Sequence, residues 1–148
     1  MPYTQLAFEF SPAFTSPPPA FSANGDVFIE CDPNYGDVTR GYIGAGYVYR
    51  RSGSSWALSE TIIDADISND GKLGIAGWGI SGDAQYVAFV DITGYCRIYK
   101  YNGSTWDRQG VLYVMEPYSG SFSGSVSITN TGTKLAVGAP GFRFSSGD

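Results

Sequence analysis

One ten-residue pattern occurs twice in this chain, fifty positions apart and without a gap. Tyr47–Trp56 reads YVYRRSGSSW and Arg97–Trp106 reads RIYKYNGSTW. Each copy is an alternating strand, a Ser-Gly or Asn-Gly turn, and a second strand opening on tryptophan. Asn102-Gly103 predicts a type I′ hairpin, a turn that needs positive φ at both central residues. A tryptophan just beyond such a turn can pack back over the hairpin, so Trp56 and Trp106 are expected to hold equivalent packing positions. A chain built this way is a tandem β repeat.

A second element recurs in the same order. Ile80–Phe89 (ISGDAQYVAF) matches Ile128–Val137 (ITNTGTKLAV) at an offset of 48, and Phe21–Ile29 fits after one deletion. Each reads as strand, polar turn, apolar strand, so a full unit is two hairpins in series. Three units follow, at about 21–63, 73–115 and 122–148, the last ending after its first hairpin. No segment keeps helical periodicity over ten residues. The expected fold class is all-β: tandem four-stranded antiparallel propeller-type blades, about two and a half units within 21–148, forming a partial or oligomer-completed β-propeller. Residues 1–20 differ. Ser11-Pro12 and Ser16-Pro17-Pro18-Pro19 cannot lie inside a regular sheet, because proline lacks the ladder donor. They form either an extended leader or an arm anchored on a neighbour by Phe8, Phe10, Phe14 and Phe21.

Composition narrows the function classes. A chain that is 43% hydrophobic and 16% charged is not a disordered tail, and 20 glycines among many aromatics suit short strands and tight turns. The net charge of -5, with Arg50–Arg51 as the densest basic pair, argues against gripping nucleic-acid phosphates. No run approaches the length of a membrane helix, and Met1–Phe10 shows no signal-peptide pattern. The two cysteines, Cys31 and Cys96, lack metal-ligand spacing and read as separate part-buried thiols, with a disulfide as the alternative.

The third unit, Phe122–Gly141, reads FSGSVSITNTGTKLAVGAPG. It resembles an FG-GAP repeat, the blade unit of integrin-α-type propellers, and the hairpins closing on Gly53-Ser-Ser-Trp56 and Gly103-Ser-Thr-Trp106 resemble the outer strands of such blades. Only this unit carries Gly138-Ala139-Pro140; the second has Val90, Asp91 and Ile92 there. The resemblance implies a non-catalytic surface adhesion or assembly module at a cell, virion or extracellular surface. It would bind protein partners or self-associate, without inserting into a membrane. Two and a half blades cannot close a ring, which leaves a fragment of a longer propeller, an oligomer, or an open stack.

Two clusters are candidate sites. Asp64, Asp66, Ser68 and Asp70, followed by Gly71, place oxygen ligands at alternate positions, as calcium loops do; the alternative is an ordinary inter-blade turn, and no other cofactor is expected. Tyr35, Tyr42, Tyr95, Tyr101, Tyr113 and Tyr118 lie in or beside polar loops. Tyrosine there suits protein or glycan contacts, which makes a carbohydrate-binding propeller the alternative function, although sheets also use tyrosine for cross-strand packing. No catalytic residue is assigned. The chain has no histidine, so Ser-His-Asp and Cys-His arrangements are absent, and only a paired-carboxylate glycosidase using Asp83, Asp91 or Glu116 is conceivable.

Overall fold

The computed structural model describes residues 18–37, 39, 41–67, 70–113 and 125–138. Most of the N-terminal arm, Ser68, Glu116, Tyr118 and Ala139-Pro140 therefore lie outside the described residues.

The first sheet starts with β1 (Ala20–Phe21) and β2 (Val27–Asp32). A short ribbon, β3 (Gly36–Asp37) and β4 (Gly41–Tyr42), interrupts it before β5 (Ala45–Ser52) and β6 (Ser55–Ile62) complete it. The second sheet is β7 (Gly77–Ile80), β8 (Tyr86–Val90), β9 (Tyr95–Tyr101) and β10 (Trp106–Tyr113), and the third unit shows β11 (Val126–Ile128) and β12 (Leu135–Val137). The four-stranded sheets run β1-β2-β5-β6 and β7-β8-β9-β10, antiparallel throughout, and no helix occurs among the described residues. The fold is all-β, with propeller-type blades in tandem.

The period-two alternation of β8 explains the stacking. Val87 and Phe89 join a core shared with the first sheet, where they meet Val27, Ile29, Val48 and Ile62. Ala88 and Val90, on the opposite face, join a second core with Cys96, Val126, Leu135 and Val137. The second sheet is thus covered on both faces. Close approach is bought by glycine: a Cβ at Gly46 would lie 2.4 Å from the Phe89 ring, and one at Gly79 would lie 2.8 Å from the carbonyl oxygen of Val126.

The repeat extends to its irregularities. Trp56 pairs with Arg51 and Trp106 with Tyr101, and each following strand carries a bulge, at Ser59 and at Gln109. The first-hairpin turns also match. A hydroxyl at Ser22, Ser81 or Thr129 accepts a backbone N–H at or one residue before the start of the next strand, from Val27, Tyr86 and Lys134 respectively. Backbone bonds from Ala23 to Gly82 and from Asp83 to Asn130 tie the three turns in a row.

Two expectations need correction. The Asn102-Gly103 turn is not type I′, because only Gly103 has positive φ. Asn102 Oδ1 accepts the N–H groups of Ser104 and Thr105, and this side-chain competition holds a four-residue loop instead. The cysteines are buried rather than part-buried. Both are free thiols, and they sit in different cores; Cys31 Sγ lies 3.0 Å from the carbonyls of Ala45 and Leu73.

Trp56 and Trp106 occupy equivalent register positions but differ in burial: Trp106 is 6% exposed, whereas Trp56 is half-buried. Trp106→Ala is expected to cost about 3–5 kcal/mol of stability and Trp56→Ala distinctly less, as chemical unfolding of the two variants would show. Equal losses would mean that burial does not rank the two rings.

Candidate functional site

The link from β6 to the second sheet begins at Ile63, and the local chemistry of Asp64 shapes it. Asp64 Oδ1 accepts the Asp66 N–H at 3.0 Å, closing an Asx turn, while the Asp64 carbonyl accepts from Ile67. The carboxylate itself turns inward and is 3% exposed. There it accepts from Tyr99 Oη at 2.7 Å and from Arg108 Nη1 at 2.9 Å, with Arg97 Nη1 at 3.4 Å. Arg97 also contacts Asp91 through Nε and Nη2, both at 3.1 Å, and Arg108 forms a second ion pair with Asp66. Asp91 completes the frame by accepting from the N–H groups of Thr93 and Tyr95, which fixes the β8–β9 turn.

This arrangement is an ionic clasp that ties the β6–β7 link to the second sheet, buried at Asp64, Asp91 and Arg97 and more exposed at Arg108 and Asp66. Burial raises the Asp64 pKa, but the hydrogen bonds from Tyr99, Asp66 and Arg108 and the charge of Arg97 outweigh it and hold the group below its ordinary value. Burial and the Asp64 carboxylate push the Tyr99 hydroxyl well up, so it stays a donor. The sequence places Asp64 among calcium ligands; in the structure it faces two arginines. Asp66 faces Arg108, and Asp70 Oδ1 accepts the Tyr42 N–H at 2.7 Å. No group of three or more acidic or thiol side chains converges on a metal position among the described residues. Arg97 and Arg108 belong to this cluster and are absent from the sequence-derived sites. Their signal was parity: Arg97 shares a strand face with Tyr99, the face that meets the first sheet.

The candidate tyrosines do not form one site. Tyr95 and Tyr113 pair across β9 and β10 with ring centres 5.1 Å apart, at the end of the second sheet where β8 turns into β9. Tyr35 and Tyr42 sit in the corresponding connection of the first sheet, with Lys72 over the Tyr42 ring. All four are at least 39% exposed. Tyr101 lies at the other end of β9, half-buried between Arg50 and Trp106.

The fold has counterparts among solved structures. The chain is similar to a structure described as KlHsv2 with loop 6CD replaced by a Gly-Ser linker, at 13% identity and a TM-score of 0.58, over 87% of this chain and 38% of that one. It is also similar to a putative 6-phosphogluconolactonase from Bacteroides fragilis NCTC 9343, at 15% identity and a TM-score of 0.56, over 88% of this chain and 33% of that one. Both neighbours have propeller-like folds, and this chain spans between a third and two-fifths of their length. At these identities the likeness shows the fold alone. No protein-family model matches the sequence, and no curated protein matches it.

Because the folded Asp64 pKa is depressed, its stabilisation is complete above the unfolded value of about 4 and disappears as pH falls through the lower folded value. Asp64→Ala is expected to cost about 3 kcal/mol at neutral pH, since Arg97 loses one of its two buried partners. It should also flatten the acid limb of the stability curve, measured as unfolding midpoint against pH. Calcium makes a second test. With the Asp64 carboxylate already engaged by cationic and hydroxyl donors, millimolar calcium is expected to leave the melting temperature unchanged, and a chelator likewise.

Proposed function

We propose that this chain is a non-catalytic assembly module of FG-GAP-like blades that binds, through the exposed apolar residues Phe21 and Leu58 on the outer face of the first sheet, to another blade-like sheet supplied by a protein partner or a second copy. The observation that carries this reading is a comparison of equivalent faces. In the second sheet, the face bearing Phe89, Tyr99 and Trp106 is covered by the first sheet. In the first sheet, the equivalent face bears Phe28, Glu30, Tyr47, Tyr49, Arg51, Trp56 and Leu58, assigned by the shared pairing register. Phe28 and Tyr49 stack with ring centres 4.6 Å apart, Trp56 meets Phe28 edge-on, and Phe21 closes the cluster. Yet Phe21 and Leu58 remain 51% and 52% exposed. Leu58 holds the place of Arg108, so an exposed apolar side chain stands here where the inner seam has one arm of its ionic clasp. Apolar residues in a position that takes a sheet elsewhere in the molecule suit a sheet-on-sheet contact.

The FG-GAP assignment and the surface location it implies rest on the Phe122–Gly141 pattern. The non-catalytic reading rests on chemistry. The chain lacks histidine, and of the acids named for a glycosidase, Asp91 is buried against Arg97 while Asp83 accepts from Ser81 and Gln85 in its turn. Light scattering of the purified chain across a concentration series is the test. A mass above that of one chain is expected, returning to the monomer value in Leu58→Asp with the melting temperature held. A monodisperse monomer at every concentration would refute self-assembly through this face. Hydrolysis of a glycan, abolished by one Asp→Asn change, would refute the non-catalytic one.

A further inference from the structure

We propose that the outer face of the first sheet receives the same face of a second copy, in a two-fold dimer held by ion pairs between Glu30 of each chain and Arg51 of the other. The dimer rests on the assembly reading and names the occupant of its face. The pairing register sorts that face into three rows. Glu30 lies with Tyr47, then Phe28 with Tyr49 and Leu58, then Arg51 with Trp56. An acid and a base therefore flank an apolar middle, one row to either side of it.

Glu30 is the residue that selects the partner. It pairs with Tyr47 as Phe89 pairs with Arg97, and Tyr47 and Arg97 are fifty positions apart. A glutamate thus holds the place of the ring that seats on Gly46 in the inner seam, and a tyrosine holds the place of the arginine. Stacking copies head to tail, as a repeat of that seam, does not fit. It would press a carboxylate onto a seat made for a ring. Among the described residues Glu30 receives the Tyr49 hydroxyl and makes no ion pair. Covering this face therefore requires a cation opposite Glu30, because an acid buried without one is an uncompensated charge.

The face carries that cation itself. Arg51 Nε lies 3.4 Å from Asp26, with both side chains about half exposed, a contact that water screens. In the inner seam Arg97 and Arg108 each hold two acids, whereas Arg51 holds one. Its guanidinium has donors left for a second carboxylate. A two-fold axis lying between the two sheets and crossing the middle row lays the Arg51 row of each copy over the Glu30 row of the other. An isologous contact repeats every pair, so one acid and one base make two ion pairs. The middle rows then lie on one another and cover Leu58, which is 52% exposed in the single chain.

Light scattering of the full chain, of Glu30→Arg, of Arg51→Glu and of a chain carrying both changes is the test. A dimer is expected for the unaltered chain. Each single reversal sets like charges together twice and should raise the dissociation constant about a hundredfold. The doubly reversed chain, and an equimolar mixture of the two single variants, restore opposite charges at both contacts and should regain the dimer. Either recovery supports the proposal, and recovery in neither overturns it. A dimer that is lost in Leu58→Asp but indifferent to both single reversals overturns the ion pairs and leaves the assembly reading standing. A mass that grows without limit with concentration means head-to-tail stacking and overturns the two-fold arrangement. A monomer at every concentration overturns the dimer and gives the face to a different protein or to another segment of this chain.

Discussion

The seating of Phe89 against Gly46 sets the spacing of everything around it. The ring occupies the volume that any side chain at position 46 would fill, so the first two sheets approach as closely as an aromatic ring on bare backbone allows. Phe89 pairs in register with Arg97. The contact that fixes the apolar seam therefore also fixes where the arginine reaches Asp64 and Asp91. A larger residue at position 46 would separate the sheets and loosen the clasp together, because packing and charge share two cross-strand neighbours. The core alone would tolerate some repacking, but the ionic geometry would not: a buried arginine displaced from its acids is an uncompensated charge.

Much of this architecture was legible in the sequence because it is local. The fifty-residue offset between Trp56 and Trp106 holds down to the bulges at Ser59 and Gln109, since strand, turn and bulge are decided within a dozen residues. The turn at Asn102 shows the limit of that locality. Asn-Gly predicts one backbone shape, but Thr105 and Asp107 lie close enough to hydrogen-bond the Asn102 side chain, and the loop they hold is longer. Chemistry that depends on pairs of units was not legible. Asp64 and Arg97 are 33 positions apart and meet only because one sheet lies on the next. The Asp64 run has the spacing of a cation loop, and nothing local reveals that two arginines from β9 and β10 point at it.

The tyrosines show the same division. Each was recognisable as a residue near a loop, and most are exposed. Which end of the blade each occupies depends on strand direction, and Tyr95 and Tyr101 bracket a single strand, so they cannot share a site.

The placement of the two thiols has a consequence of its own. Cys31 lies in the core between the first and second sheets, and Cys96 in the core between the second sheet and the third unit. Burial raises both thiols, Cys31 to well above the usual range and Cys96 to about 11, so neither forms thiolate readily while its seam is shut. A stack of repeats comes apart interface by interface. Each sulfur is therefore a silent chemical clock for one interface, and the order in which the two take up an alkylating reagent records the order in which the stack opens.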